Sequence, residues 1–141
     1  MLAIETSRFG TLEVDDSKVI TFPDGLLGFS NLKHYILLDY KDTALKWLQS
    51  VDDPYIAFIV VEPTVLYPNY SINLDSITRE LLQLKNNYDL TILVTIRVEG
   101  KKIIANLNGP LLFNSSLMKG FQILMDKGKS QEYNEKQPAK V

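Results

Sequence analysis

Three apolar blocks punctuated by glycine and proline constrain this chain more than any other feature: Ile20 to Phe29 (ITFPDGLLGF), Leu48 to Phe58 (LQSVDDPYIAF) and Ala105 to Asn114 (ANLNGPLLFN). Each joins a β-type run to a tight turn. Proline presets φ for the second position of a turn, and glycine supplies the positive φ that other residues resist. The rest of the chain carries the same signal. Leu2 to Thr6 alternates apolar and polar residues, Ser7 to Gly10 punctuates, and Thr11 to Val14 alternates again, as a hairpin should. Further strands are expected at Lys18 to Phe22, Tyr35 to Leu38, Leu45 to Gln49, Ile56 to Val61, Leu90 to Val98, Lys102 to Leu107 and Phe121 to Leu124. Ile56 to Val61 reads as a strand buried on both faces that Pro63 ends. Glu99, Gly100 and Lys101 read as a hairpin turn.

One helix interrupts this pattern. Asp75 or Ser76 can accept from the free amides of a first turn, and Ile77, Leu81, Leu82 and Leu84 follow at helical spacing, which predicts a short helix over 76–85. Nine to ten short strands with one short helix predict a mainly β chain: a compact, antiparallel, barrel-like single domain over residues 1–126. Closure would also protect the strand edges. After Asp126 the segment KGKSQEYNEKQPAKV holds one aromatic, Tyr133, and one sizeable aliphatic, Val141, so residues 127–141 are expected to form a flexible tail.

With 141 residues, 45% hydrophobic and 23% charged, the chain suits one folded domain with a real core. It has no cysteine, hence no disulfide framework and no thiolate metal site, which fits a reducing compartment; the cytoplasm is the expected location. The apolar runs are far shorter than the roughly 20 residues of a spanning helix, and MLAIETSRFG lacks a basic region followed by an apolar one. Before Met118 stand 10 Lys/Arg against 14 Asp/Glu, and after it 5 against 3. An acidic body argues against direct nucleic-acid binding, which draws its affinity from clustered cations on phosphates, and suits a basic protein partner.

Catalytic residues are sparse. His34 is the one histidine, and a nucleophilic triad or a typical zinc site needs such groups in company; covering the start of a strand is its simpler role. Asp15 with Asp16 and Asp52 with Asp53 are paired carboxylates, but both pairs sit in turns, where aspartate serves its own backbone. No enzyme activity, cofactor or metal is expected. Tyr67, Tyr70, Tyr88, Phe113 and Phe121 could stack bases on a small barrel, yet EPTVLYPNY interleaves no cation, so core and rim packing accounts for them better. Lys101 and Lys102 are the one adjacent basic pair, read as solvated lysines at a hairpin tip. A small-ligand-binding or RNA-binding β-barrel is the alternative class.

The order ITFPDGLLGF, LQSVDDPYIAF followed by VVEP, ANLNGPLLFN and finally GFQILM resembles the flagellar assembly factor family, FliW, from Thr6 to about Met125. A single FPxGLxGF element is moderately specific, whereas four such elements in this order are highly specific. The resemblance implies a cytoplasmic, non-enzymatic partner-switching protein on a compact β-barrel-like fold. Family members bind flagellin and also the dimeric RNA-binding regulator CsrA, relieving its repression of flagellin mRNA translation. This chain would then act as a monomer without touching RNA or membrane. Leu26, Leu27 and Phe29, with Gln49 and the loop carrying Asn106, Leu107 and Pro110, are the candidate partner surface. The competing account is that Gly25, Gly28, Gly109 and Pro110 fix turns while the leucines fill the core.

Overall fold

The computed structural model describes residues 1–125; the expected tail over 127–141, and the boundary at residue 126, lie outside the described residues. Alternation produces the first hairpin. β1 (Leu2–Thr6) and β2 (Gly10–Val14) pair in register from Leu2 opposite Val14 to Thr6 opposite Gly10. The Thr6 hydroxyl fixes their turn by donating to the Gly10 carbonyl at 2.8 Å while accepting the Phe9 amide at 2.8 Å.

The other strands build one sheet: β3 (Ile20–Thr21), β4 (His34–Asp39), β5 (Lys46–Ser50), β6 (Ala57–Val61), β7 (Leu90–Glu99), β8 (Lys102–Ala105), β9 (Leu111–Asn114) and β10 (Lys119–Gln122). Their order is β6-β5-β4-β3-β10-β9-β7-β8, and a further β6–β7 pairing closes the sheet into a barrel-like ring. All pairings are antiparallel except one: β3 and β10 run parallel, with Lys119 opposite Thr21. β8 and β9 follow one another along the same edge of β7. The first pairs with Ile96–Glu99 and the second with Leu90–Leu93, so residues 106–110 loop out opposite Val94 and Thr95.

Several expected boundaries move. The strand read at Lys18 to Phe22 keeps only Ile20–Thr21, because Asp15 caps a single 3-10 turn over Asp16–Lys18 by accepting the Ser17 amide at 2.9 Å. The last strand starts earlier than Phe121, at Lys119. β9 stands inside a block whose turn dominated its reading. Pro63 does end β6, and it also opens a one-turn helix, α1 (Pro63–Leu66), where a proline with no amide to satisfy is well placed. The expected helix over 76–85 is shorter: α2 spans Ser76–Leu81, with the Asp75 carboxylate accepting the Thr78 amide at 2.7 Å. Gln83, at φ 55°, then turns the chain out of the helix.

Inside the ring, Ile20, Phe22, Tyr35, Leu48, Val60, Leu93, Leu111 and Phe113 are buried together. The outer faces are covered separately. α1 and the segment after it bring Leu66, Tyr67 and Tyr70 against Val61, Val94, Ile96 and Leu107. The end of α2 brings Leu82 against Leu112 and Phe121. The β1–β2 hairpin docks near β5: the Ser7 amide donates to the Pro54 carbonyl at 2.9 Å, Phe9 meets Trp47 edge-on, and the Arg8 guanidinium lies 4.3 Å from the centre of the Trp47 ring. Tyr67, Tyr70, Phe113 and Phe121 are thus all buried, and of the aromatics considered for base stacking only Tyr88 stands in solvent.

Candidate protein-binding surface

The Pro23 to Phe29 turn follows from its sequence. The Gly25 amide donates to the Phe22 carbonyl at 2.8 Å, and Leu26 and Phe29 bridge one another across a tight reversal. Gly25 holds φ at 66°, and a Cβ there would lie 2.5 Å from the Phe29 carbonyl oxygen, so any other residue would force the backbone apart. The reversal separates neighbours. Leu26 points into the ring core at 4% exposure, while Leu27 stands 66% exposed. Phe29 is half-buried at the rim, edge-on to Phe58 with ring centres 5.2 Å apart.

The Asn106 to Pro110 loop meets this turn through one side chain from β10. The Gln122 carbonyl oxygen accepts the Leu27 amide at 2.6 Å, and its amide nitrogen donates to the Gly109 carbonyl at 2.9 Å. A Cβ on Gly109 would lie 2.9 Å from that nitrogen, so glycine leaves room for the bridge. Chain pairing reinforces it, because the Ile123 amide donates to the Pro110 carbonyl at 3.0 Å and the Met125 amide to Asn108 at 2.7 Å. Within the loop, Asn106 and Asn108 are exposed while Leu107, Gly109 and Pro110 are buried. Leu124, two residues past Gln122, is 68% exposed.

Gln49 has a different place. It is fully buried on β5, and its amide nitrogen donates to the carbonyls of Ser50 at 3.0 Å and Ile56 at 3.2 Å, holding the β5–β6 turn. The seven candidate residues therefore divide. Leu27 and Asn106 offer surface, Phe29 lies at its rim, Leu26 fills the ring core, Leu107 packs under α1, Pro110 is buried, and Gln49 shapes a separate turn. Sequence reasoning passed over Gln122 and Leu124. Both stood in the GFQILM block, and an apolar residue just past the end of a strand was the available signal for Leu124.

The chemically reactive residues serve the backbone. Asp52 accepts the amides of Lys33 at 2.9 Å and His34 at 3.1 Å, and lies 3.1 Å from His34 Nδ1. Partial burial raises the Asp52 pKa, and these hydrogen bonds more than offset it, leaving the carboxyl below its ordinary range. His34 opens β4 and covers its start. Among the described residues no group of three or more His, Cys, Asp or Glu could hold a metal ion, and no helix is long and apolar enough to cross a membrane.

The sequence model of the FliW protein matches residues 3–139. This chain belongs to the FliW family. The flagellar assembly factor FliW of Treponema denticola is 36% identical over 130 residues, 91% of this chain and 88% of that protein. That of Thermoanaerobacter pseudethanolicus is 34% identical over 141 residues, 97% of this chain and 92% of that protein. A crystal structure of the flagellar assembly factor FliW superposes with a TM-score of 0.82 at 30% identity, covering 89% of this chain and 90% of that one. The ring of short strands is thus the FliW fold, and the chain is a flagellar assembly factor of that family.

Proposed function

We propose that this FliW-family protein works in the cytoplasm as a monomer, binding flagellin and, when flagellin is absent, the dimeric RNA-binding regulator CsrA. Binding CsrA relieves its repression of flagellin mRNA translation. While flagellin accumulates it occupies the protein and the regulator represses; once flagellin leaves, the freed protein captures the regulator. No bond is made or broken.

The observation that carries this reading is the Gln122 bridge. It holds an exposed leucine and a polar loop from distant parts of the chain in one rigid arrangement, with Leu27 66% exposed above a buried Leu26. Apolar anchors on a pre-ordered turn lose little entropy when they bind. The excess of Asp and Glu before Met118 supports a basic RNA-binding partner, with charge governing encounter rate and selectivity more than affinity. If capture lowers the regulator's RNA affinity from a distance, the two binding free energies are coupled reciprocally, typically by about 1–3 kcal/mol. The burial of Tyr67, Tyr70, Phe113 and Phe121 supports a protein partner over RNA, since those rings are not free to stack on bases.

Calorimetric titration with purified flagellin and with purified CsrA, followed by competition between them, tests the proposal. Binding to each with mutual displacement is expected. Absence of binding to both sinks it.

A further inference from the structure

We propose that the free edge of β8 is a second docking site, which takes an extended, carboxylate-bearing segment of another protein as an added strand. In the eight-stranded sheet β8 is the one strand with a single neighbour. It pairs with β7 through Lys102 opposite Glu99 and Ile104 opposite Arg97, and Asn106 prolongs the ladder by donating its amide to the Thr95 carbonyl at 2.9 Å. Antiparallel strands bond through alternate residues, so Ile103 and Ala105 aim their backbone groups away from β7. The Ala105 carbonyl is engaged by the Leu107 amide at 3.1 Å. The Ile103 amide and carbonyl and the Ala105 amide have no partner among the described residues. Such a row is a template for strand addition, in which main-chain bonds give affinity and side chains give selectivity.

The charge around the edge selects the occupant. Lys101 and Lys102 are exposed at its start, and neither joins an ion pair among the described residues. The nearby Glu99 carboxylate does not neutralise them, because it is held by the Arg97 guanidinium at 3.1 Å. A second copy of this chain would pair two-fold and antiparallel, with the lysine pairs at opposite ends and no carboxylate brought to either, whereas a segment carrying carboxylates is attracted to them. The edge ends at Ala105, where the Asn106 to Pro110 loop begins, and its unpaired groups belong to Ile103 and Ala105, so a readout on those two amides is separate from any effect at Leu27.

The test titrates the full chain with a blocked peptide of about seven residues, alternating glutamate with valine and threonine, against its lysine counterpart, while backbone amide signals are followed. The acidic peptide is expected to shift and protect the Ile103 and Ala105 amides and to bind roughly tenfold more tightly than the basic one. The double substitution Lys101→Glu with Lys102→Glu, on the exposed tip and with the fold intact by amide spectrum, is expected to reverse that preference. Binding without protection of those two amides, no binding, equal affinity for the two peptides, or full protection of both amides in the free chain each overturns the proposal.

Discussion

Leu26 and Leu27 are adjacent, identical in chemistry and opposite in role, because a single tight reversal faces one inward and the other outward. Leu26→Ala is expected to cost about 2–5 kcal/mol, the usual range for an emptied core leucine. Leu27→Asp is expected to change stability by no more than about 0.5 kcal/mol while weakening partner binding by at least roughly tenfold, the loss of one apolar anchor. Urea melts paired with calorimetry separate the two, and loss of structure in Leu27→Asp would remove that residue from the binding surface. Tyr35 allows a sharper test. Its hydroxyl is buried with no hydrogen-bond partner, and burial, then the Asp52 charge, push its pKa up to about 12. The protonated phenol is favoured in the folded state, so its contribution is fully present below the ordinary tyrosine value of 10.0 and is lost as pH rises towards about 12. Tyr35→Phe removes an unsatisfied group, so it is expected to leave stability at neutral pH unchanged or higher and to reduce the alkaline loss. A clear destabilisation at neutral pH would show that the hydroxyl has a partner.

At the scale of elements, the pieces most dependent on one another are joined by side chains that local sequence cannot reveal. Asn114, at the end of β9, donates to the Leu82 and Gln83 carbonyls at 3.0 and 3.2 Å and accepts the Ser116 and Leu117 amides at 2.9 and 3.1 Å. It ties the end of α2 to the β9–β10 turn while itself 1% exposed. Asn114→Ala is expected to cost about 1–3 kcal/mol for each backbone group left buried without a partner, read as a lowered urea midpoint. A loss below about 0.5 kcal/mol, the level of an ordinary surface change, would mean that water replaces the amide freely. The same distinction explains what the sequence disclosed. Hairpins such as β1–β2 were legible because alternation and turn residues are local signals. β9 was not, because Leu111–Asn114 is buried at every position and shows no alternation. The Gly25 turn could be read from its residues, but which of its leucines faces outward could not, nor could the Gln122 bridge, whose partner Leu27 lies 95 residues away.

For the molecule as a whole, ring closure sets where the fold is strongest and where it opens first. Seven strands of the ring have neighbours on both sides, but the seams differ in length. β4 and β5 are registered from Tyr35–Ser50 to Asp39–Lys46, while β3 meets β10 only through Thr21 opposite Lys119, supported by the Thr21 amide on the Met118 carbonyl at 2.9 Å. The short seam is also the one parallel pairing, slightly weaker per residue. It is bordered by Met118, whose φ of 54° is uncommon for a side chain of its size. Local opening should therefore begin there, separating β3 from β10 while the β4–β5 ladder stays closed. Native-state hydrogen exchange is expected to show the Thr21 amide exchanging through an opening of lower free energy than Ile36, which bonds to Gln49 in the β4–β5 ladder, or Leu48, which bonds across to β6. The consequence reaches the proposed binding surface, because the Pro23 turn follows β3 and Gln122 ends β10, so opening the seam strains the bridge between them. Gln122→Ala should then speed exchange at Thr21 without altering Leu48. Equal protection of Thr21 and Leu48 in the unmodified protein, with equal sensitivity to that substitution, would instead make the ring a single cooperative unit with no preferred seam.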